Sequence, residues 1–376
     1  MKILVVTPYY HPKVGGLEMY ARQLGIALKE QERCDVVVVT SNDNGHKSVV
    51  DVVDGMNVYR LGTWMKVSNT PINLFWPFMI RRIIRREKPD VILAHTPVPS
   101  MADAAALAAG RTPFMLTYHA STLLKGDNTM FNMVARLYGV YERITLSRAN
   151  KILAVSDYVK QELGAKLAPK VAVIPNAVWE SQIVAHAQPK QTNFLFIGSL
   201  DRTHAWKGLD VTIQAMAEYK KTYDSHFTFT IMGDGNDRRR YESLVITLGL
   251  DKEVIFLGIQ TGQDKEEAFR QATALVMYPT TANDAFPTVM LEAWARSVPV
   301  IAAAIGPIPS LINDGVDGYL VQAKEPVILA AALHKMASSS VSSRETLAAA
   351  AAKRTKDTYT WEKQAAKVAE IAKELL

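Results

Sequence analysis

The sequence has 376 residues, 43 Lys and Arg against 37 Asp and Glu, one cysteine, and 48% hydrophobic residues. This length corresponds to about two to three domains, and a charged fraction of 21% with ample apolar content excludes a disordered chain. Because Cys34 is the only cysteine, a disulfide framework and a cysteine-based zinc site are excluded. The net charge of +6 is mild for a nucleic-acid-binding protein, so no nucleic-acid partner is expected.

The distribution of apolar residues bears on location. No apolar stretch reaches 18 residues, which predicts no membrane-spanning helix. The first apolar run meets Thr7-Pro8 too soon to be the core of a signal peptide. We therefore expect a cytoplasmic protein, with the cytoplasmic face of a membrane as the alternative location.

Short β-branched apolar runs alternate with helical patterns along the chain, which favours an α/β fold of parallel sheets covered by helices on both faces. Amphipathic patterns at Glu18–Gln31, Asp210–Tyr223 and Asp237–Leu248 predict helices between strands. The predicted strands are Ile3–Val6, Val36–Thr40, Val91–Ala94, Phe114–Thr117, Ile152–Val155, Val171–Ile174, Phe194–Ile197, Phe227–Met232, Val254–Leu257, Ala274–Met277 and Val298–Ala302.

The strand pattern stops at Pro175 and resumes at Phe194 after a polar stretch. This break predicts two doubly wound, Rossmann-like domains, residues 1–180 and 181–358, with an interdomain cleft. The amphipathic segment 359–376 is expected to be a closing helix that packs back on the N-terminal domain. In such sheets, ligands bind outside the carboxyl ends of the strands.

The first candidate site follows the first strand, where Gly15 and Gly16 precede a helix. Paired glycines allow backbone N–H groups to approach an anion at a helix N-terminus. The alternative is an ordinary strand-to-helix loop. Since the pattern is not G-x-G-x-x-G, a nicotinamide site is disfavoured.

His119 follows the predicted strand Phe114–Thr117, which places it at the mouth of the expected cleft. The alternative is a histidine with a structural role.

Cationic side chains follow the strand Phe194–Ile197. Arg202 and Lys207 are suited to a diphosphate, which needs positive charge where leaving-group charge develops. The alternative is two solvated surface cations. A further glycine turn, at Gly233, follows the next strand.

Two carboxylates, Asp284 and Glu292, flank a predicted helix start at Thr288. The N–H groups of Phe286 and Thr288 are candidates for contacting an anion, whereas Pro287 has none to offer. Asp284 is placed to meet sugar hydroxyls, and Glu292 to bind a pair of ribose hydroxyls. The alternative is an Asp that complements the helix dipole and a Glu in a surface ion pair.

A basic amphipathic segment spans Pro77–Lys88, with Trp76, Met79, Ile80, Ile83 and Ile84 on one helical face. The opposite face carries four cations: Arg81, Arg82, Arg85 and Arg86. Such a helix suits an anionic membrane surface, with Trp76 and the four arginines as candidate contacts. The alternative is a core-facing helix with solvated arginines.

Taken together, these stretches resemble the family 4 retaining glycosyltransferases of the GT-B fold. The resemblance covers nearly the whole chain, and its specificity lies in the order and spacing of the motifs. The matching motifs are Pro12-x-x-Gly15-Gly16-x-Glu18, Thr117-x-His119, Val155-Ser156, Ile174–Val178, Lys207-Gly208, Gly233-Asp234-Gly235, Phe256–Gly258, Asp284 with Glu292, Pro299–Ala302, Asp314–Gly318 and Trp361-Glu362.

The resemblance implies a retaining transferase that moves a hexose from a UDP- or GDP-sugar to a hydroxyl of a glycan or lipid-linked acceptor, without a metal or cofactor. It implies catalytic roles for His119, Asp284 and Lys207, and an acceptor-side role for Glu18. The implied donor-binding residues are Gly15, Gly16, Ser199, Arg202, Lys207, Gly233, Gly258, Ile259, Ala285, Phe286, Pro287, Thr288 and Glu292.

The sequence departs from the family pattern at three positions. Ser199 stands where the family usually has Arg, Asp284 where it has Glu, and Ser310 where it has Glu. Arg202 is a candidate to supply the missing cation. Two alternatives stay open. One is a non-catalytic nucleotide-sugar-binding subunit, which Ser199 and Asp284 favour, and the other is a GT-B nucleotide-sugar epimerase or hydrolase, which would need no acceptor.

Overall fold

Strands and helices alternate along the computed structural model, which describes residues 1–13, 15–42, 45–67, 70–119, 129–322 and 325–376. The chain divides into two structural units, one formed by Met1–Asn176 with Trp361–Leu376 and the other by Ala177–Thr360. We call them the first and the second unit. Within the described ranges, no helix combines the length and the apolar character needed to cross a bilayer.

The unit boundaries lie a few residues from the expected positions at 180/181 and 358/359. The two chain segments that enter and leave the second unit are held together there. Val178 pairs with Thr360 in a parallel bridge, and the Val178 N–H donates to the Tyr359 carbonyl at 3.0 Å. These backbone contacts assign both segments to the second unit.

The first unit contains an eight-stranded sheet of order β10-β9-β8-β7-β1-β2-β4-β3. All neighbouring strands are parallel except β3 and β4. A separate antiparallel pair, β5 and β6, lies outside this sheet. The strands are β1 (Lys2–Val6), β2 (Asp35–Asn42), β3 (Val49–Val53), β4 (Met56–Gly62), β5 (Met65–Val67), β6 (Thr70–Ile72), β7 (Val91–Thr96), β8 (Phe114–Tyr118), β9 (Lys151–Ala154) and β10 (Val171–Val173).

Helices cover this sheet and include the last helix of the chain. They are α1 (Gly16–Glu30), α2 (Trp76–Glu87), α3 (Met101–Ala108), α4 (Thr129–Arg148), α5 (Asp157–Glu162) and α13 (Trp361–Lys373). The apolar face of α13, which includes Trp361, Ala365 and Val368, is buried, and α13 packs against α1.

The second unit contains a six-stranded, wholly parallel sheet of order β13-β12-β11-β14-β15-β16. Its strands are β11 (Asn193–Ile197), β12 (Thr228–Met232), β13 (Val254–Gly258), β14 (Ala274–Met277), β15 (Val300–Ala303) and β16 (Tyr319–Val321). Its helices are α6 (Leu209–Thr222), α7 (Arg238–Thr247), α8 (Gly262–Arg270), α9 (Thr288–Ala295), α10 (Ile308–Leu311), α11 (Pro326–Ser338) and α12 (Val341–Thr358).

The central strands of both sheets are buried on both faces. Ile3–Val6 in β1 and Phe194–Phe196 in β11 are almost fully inaccessible to solvent. Strands covered by helices on both sides are continuous apolar runs rather than alternating ones. The expected fold class, with two doubly wound α/β units, is therefore confirmed.

Each sheet has one position where the strand order reverses. In the first unit it lies between β1 and β7, and in the second between β11 and β14. Loops that leave neighbouring strands in opposite directions open a crevice at such a position. These two switch points are where the candidate residues are best placed to meet a ligand.

The predicted membrane-facing side of α2 requires a correction. Trp76 is fully buried, and its indole N–H donates to the Gly62 carbonyl at 3.1 Å. Ile80 and Ile83 are buried on the same face, while Arg81, Arg82, Arg85 and Arg86 are exposed. The prediction that Trp76 contacts a membrane is wrong, because this face of the helix packs on the core of the first unit.

Candidate functional site

The loops that follow β11 and β14 meet at the switch point of the second unit. Gly208 lies between a 3₁₀ helix, Arg202–Lys207, and α6, with φ of 71°. A Cβ atom at this position would lie 1.9 Å from the Tyr278 carbonyl oxygen, so only glycine fits. The Thr280 N–H donates to the Trp206 carbonyl at 2.8 Å. The backbone thus fixes Lys207 beside the segment that leads to α9.

Lys207 and Asp284 interact electrostatically across this junction. Burial lowers the pKa of the Lys207 ammonium, and the negative charge of Asp284 opposes that shift. Burial raises the pKa of the Asp284 carboxyl, and the Lys207 charge opposes the shift in turn. The two opposite charges therefore interact in a partly dehydrated position, where charges act more strongly than in water.

Residues Ala285–Thr288 connect Asp284 to α9, and the first three of them are buried. The Phe286 N–H donates to Asp284 Oδ1 at 3.2 Å. This N–H therefore has a partner within the protein, and its contact with an anion stays a prediction. Thr288, which begins α9, is exposed, and the first N–H groups of a helix have no partner within the helix.

The Ser199 turn is organised by hydrogen bonds within the protein. Ser199 Oγ donates to Asp201 Oδ2 at 3.0 Å. The Arg202 backbone N–H donates to Asn236 Oδ1 at 2.9 Å, and the Arg202 side chain is exposed. Gly233 lies in the neighbouring loop after β12, where its N–H donates to the Gly258 carbonyl at 2.8 Å. Ser199 and Gly233 are therefore close to the switch point, whereas the guanidinium of Arg202 is not gathered with Lys207 in a buried position.

Glu292 lies about one turn into α9 and forms an ion pair whose partner was not predicted from the sequence. Its Oε2 atom is 2.8 Å from Lys265 Nζ, and Lys265 belongs to α8, the helix that follows β13. Ile259, just after β13, is strongly exposed. The structure thus matches the ion-pair alternative for Glu292. The ribose role of Glu292 stays a proposal, in which Lys265 orients the carboxylate.

In the first unit, His119 is paired with a second histidine. His119 Nε2 is 3.0 Å from His95 Nδ1, and the His119 backbone N–H donates to the Thr96 carbonyl at 3.0 Å. The two imidazoles therefore lie at the carboxyl ends of the adjacent strands β7 and β8. His95 is a candidate functional residue that the sequence analysis missed.

Both imidazoles are neutral. Burial lowers the pKa of His95 to about 3, and burial together with the neighbouring His95 lowers the pKa of His119 well below its usual value. A neutral pair needs one ring to donate and the other to accept. His119 is therefore suited to hydrogen bonding with a hydroxyl and is not a source of positive charge.

Tyr20 of α1 connects this histidine pair to the final helix. Its ring contacts His119 edge-on at a centroid distance of 4.7 Å and contacts Trp361 at 5.2 Å. Its hydroxyl donates to the Ile174 carbonyl at 3.0 Å. The orientation of His119 thus depends on α1 and α13 as well as on β7 and β8.

The loop after β1 ends at Gly15, which precedes the first residue of α1, Gly16. Glu18 is buried. A Cβ atom on residue 15 would lie 2.4 Å from Glu18 Oε2, so any other residue at position 15 would collide with the Glu18 carboxylate. Lys13 lies over the Tyr9 ring, 3.3 Å from its centroid. These two residues help to line a pocket of about 390 Å³.

The structure therefore gathers the predicted residues into two groups. Gly15, Gly16 and Glu18 lie in the first unit on the loop and helix that carry Tyr20, the ring beside His119. In the second unit, Lys207 and Asp284 are brought together at the switch point, while Glu292 is held by Lys265.

Comparisons with known proteins agree with this architecture. The model of glycosyltransferase family 4 matches residues 14–181, and the model of glycosyl transferases group 1 matches residues 180–354. An uncharacterised glycosyltransferase of Methanocaldococcus jannaschii is 25% identical, and the alignment covers 100% of both chains. The phosphatidyl-myo-inositol mannosyltransferase of Mycobacterium leprae is also 25% identical, over 89% of this chain and 86% of that protein.

Solved structures extend the similarity to the fold. The crystal structure of Anabaena HepE in complex with UDP superposes with a TM-score of 0.75 at 19% identity, and the alignment covers 100% of both chains. At this identity the likeness establishes the fold. With the two family models covering nearly the whole sequence between them, the chain belongs to the family 4 glycosyltransferases of the GT-B fold.

Proposed function

We propose that the protein is a retaining, metal-independent hexosyltransferase. It moves a hexose from a UDP- or GDP-sugar to a hydroxyl of a glycan or a lipid-linked acceptor. The observation that carries the proposal is the junction of the β11 and β14 loops at the switch point of the second unit. There the Thr280 N–H donates to the Trp206 carbonyl at 2.8 Å, and Lys207 interacts electrostatically with Asp284 near the N-terminus of α9.

The donor assignment follows from the charges of this group. As the bond between the sugar and the diphosphate breaks, negative charge grows on the phosphate oxygens, and preformed positive charge stabilises it. Lys207 and the first N–H groups of α9 supply that charge. Asp284 then accepts hydrogen bonds from sugar hydroxyls, and Glu292 accepts them from the ribose. Ser199, Gly233, Gly258 and Ile259 line the remaining donor surface.

The proposed donor has support from a structural relative. Anabaena HepE, which shares the fold, has been crystallised with UDP and with UDP-glucose. No metal or cofactor is needed in this scheme, because Lys207 and the α9 terminus neutralise the diphosphate. We leave UDP and GDP as alternative donors, since the base is expected to meet main-chain groups near Gly258.

The acceptor side is assigned to the first unit. His119 offers a neutral, oriented imidazole to a hydroxyl of the transferred sugar, and Glu18, the acceptor-side residue, lies on the same helix as Tyr20. Retention is explained by attack from the face that the diphosphate leaves, through an ion-pair-like transition state. The acceptor oxygen bonds to the anomeric carbon while the bond between that carbon and the diphosphate oxygen breaks. The proton of the acceptor hydroxyl passes to the departing diphosphate.

A non-catalytic nucleotide-sugar-binding subunit is the second candidate. It is favoured by one observation: Ser199 stands at the usual arginine position and bonds to Asp201, while the Arg202 side chain is exposed. Lys207 is then the main side-chain cation available to the diphosphate. An epimerase or hydrolase differs from a transferase in needing no acceptor.

Nucleotide release from individual UDP- and GDP-sugars, with and without a lipid extract, tests these alternatives. Release from one donor that rises with the extract, and an α-linked product from an α-linked donor by NMR, are expected. Chelation of divalent cations should leave the rate unchanged. Nucleotide binding without release from any donor would contradict the proposal and favour the binding subunit, and release that is indifferent to acceptor would favour the hydrolase or epimerase.

A further inference from the structure

Large apolar side chains are exposed together where the chain enters α2. The exposed fractions are 45% for Trp64, 58% for Met65, 75% for Leu74, 56% for Phe75 and 71% for Phe78. We call these five residues the apolar patch. The Trp64 and Phe75 rings are 5.1 Å apart and the Phe75 and Phe78 rings 6.4 Å apart, between centroids. The patch is therefore continuous, and such patches on protein surfaces mark sites of interaction.

The backbone beneath the patch is fixed by buried hydrogen bonds. The Asn73 side chain donates to the Gly62 carbonyl at 2.7 Å and accepts from the Phe75 N–H at 2.9 Å. The Trp64 N–H donates to the Ile72 carbonyl at 3.0 Å. Leu74 and Phe75 thus project from an anchored turn, so their exposure is set by the fold.

The buried face of α2 leaves no place in the core for the patch residues. Trp76, Ile80 and Ile83 already occupy the inward stripe of the helix. Phe75 and Phe78 lie on the opposite side, which is the side that the sequence pattern had associated with solvated arginines. The helix therefore has one apolar stripe that packs on the core of the first unit and a second apolar group that is exposed on its surface.

Cations continue the outer side of the helix beyond the patch. Arg81, Arg82 and Arg85 follow Phe78 at helical spacing and are exposed. Across the described part of the chain, these three guanidinium groups form no ion pair. The nearby carboxylate of Glu87 is taken by Lys2 at 2.8 Å. The outer side thus presents an apolar tip followed by uncompensated positive charge.

A bilayer with anionic lipids complements both parts of this surface. Aromatic and aliphatic side chains enter the headgroup region, and arginines bind the phosphates beside them. A second copy of the chain would bring like charges together if the same surface were used on both sides, which is unfavourable. Charge complementarity therefore selects the lipid surface.

We propose that the apolar patch and Arg81, Arg82 and Arg85 dock the protein on an anionic bilayer, with Leu74, Phe75 and Phe78 inserted between headgroups. The inference deepens the proposed function, on which it rests for its purpose, since docking brings the first unit to a lipid-linked acceptor. The proposal reverses the helix face expected from the sequence, because Leu74, Phe75 and Phe78 are the inserted residues and Trp76 is buried in the first unit.

Vesicle flotation tests the docking directly. The full chain is mixed with vesicles of phosphatidylcholine alone, or of equal parts phosphatidylcholine and phosphatidylglycerol. The test variants are Phe75→Ser/Phe78→Ser and Arg81→Gln/Arg82→Gln/Arg85→Gln. The matched control is Val52→Ser/Ile246→Ser, which removes two equally exposed apolar side chains elsewhere. Thermal unfolding of every variant verifies that the fold is retained.

Wild type and the control should float with the anionic vesicles and not with phosphatidylcholine alone. Each test variant should lose binding about tenfold or more, and added salt should weaken the wild type. Equal flotation of the phenylalanine variant and the wild type would overturn the proposal. A wild-type protein that does not float would also overturn the proposal. The same holds if light scattering shows that the wild type self-associates and that the phenylalanine variant does not.

The same variants separate this inference from the proposed activity. Flotation requires no donor, so it succeeds or fails independently of turnover. Nucleotide release with a water-soluble acceptor should persist in Phe75→Ser/Phe78→Ser. Flotation without release from any donor would remove the proposed activity alone, and release without flotation would remove the docking alone.

Discussion

The two units differ in the charge that they place at their switch points. In the second unit, Lys207, Asp284 and the Glu292–Lys265 pair bring ionised groups together. In the first unit, the buried His95 and the half-buried His119 lie beside Tyr20, and desolvation disfavours the charged form of both imidazoles. Similar sheets thus support different chemistry. The charged position suits a diphosphate, and the neutral one suits hydroxyl groups.

The largest expected effect concerns the cation of the second unit. Lys207→Met should lower kcat by about 10²–10³-fold, because one donor to a developing anion is lost. Steady-state nucleotide release measures it. Lys221→Met, an exposed lysine on α6, is the control and should behave as wild type. A normal kcat for Lys207→Met would mean that the charged group of the second unit does not act on the leaving group.

The next effect concerns the neutral pair of the first unit and depends on pH. The unfolded chain protonates His95 near pH 6.5, whereas the folded protein does so only near its pKa of about 3. Between these values the unfolded state binds the additional proton, so stability falls as the pH falls. From pH 7 to pH 4.5 this group should cost about 2–3 kcal/mol of unfolding free energy.

Urea unfolding at these two pH values measures the loss. His95→Asn keeps an N–H donor near the Nδ1 position and cannot titrate, so its acid destabilisation should be smaller by that amount. His226→Asn removes an exposed histidine and is the control variant. An identical acid loss in His95→Asn and wild type would show that the imidazole is not held neutral.

The smallest effect distinguishes direct from indirect roles in the second unit. Glu292→Ala should weaken nucleotide binding by about 1.5–3 kcal/mol, because ribose hydroxyls lose a charged acceptor. Lys265→Met should weaken it less, since Lys265 acts by orienting the Glu292 carboxylate. Isothermal titration with UDP and GDP measures both. Unchanged affinity in Glu292→Ala would make the Glu292–Lys265 ion pair a surface pair only.

The fold was predictable wherever strands are buried on both faces. Continuous apolar runs identify β1 and β8 within a residue or two of their observed bounds. The strand β3 was not predicted, because it lies at a sheet edge with Val50 and Val52 exposed. The strand β16 has three residues, too few for a periodic signal.

The candidate site was predictable where a glycine turn or helix start accompanies a charged residue, as at Lys207 and Glu292. Their partners were not. His95 lies inside an apolar strand, and its contact with His119 depends on the register of β7 and β8. The available signal was a histidine near the carboxyl end of each of two predicted parallel strands: His95 is the penultimate residue of β7, and His119 directly follows β8. Lys265 lies in a helix rich in charged residues, where no pattern distinguishes it.

The apolar stripes of α2 show a further limit of periodicity. The pattern groups Trp76 with Ile80 and Ile83, and this stripe exists. Nothing in the spacing says whether a stripe packs on the sheet or faces outward. That choice depends on the Asn73 side chain, whose hydrogen bonds to the Gly62 carbonyl and the Phe75 N–H fix the turn from which Phe75 projects.

The return of α13 to the first unit has a consequence for how the protein is made. The first unit comprises Met1–Asn176 and Trp361–Leu376, so the whole of the second unit is synthesised before the first can be completed. At ribosomal rates this interval lasts roughly 10–40 s. During it, Tyr20 lacks the Trp361 ring and α1 presents an uncovered face. Until α13 is synthesised, the nascent first unit exposes the apolar surface that α13 covers, and a truncation before Trp361 would leave that surface exposed.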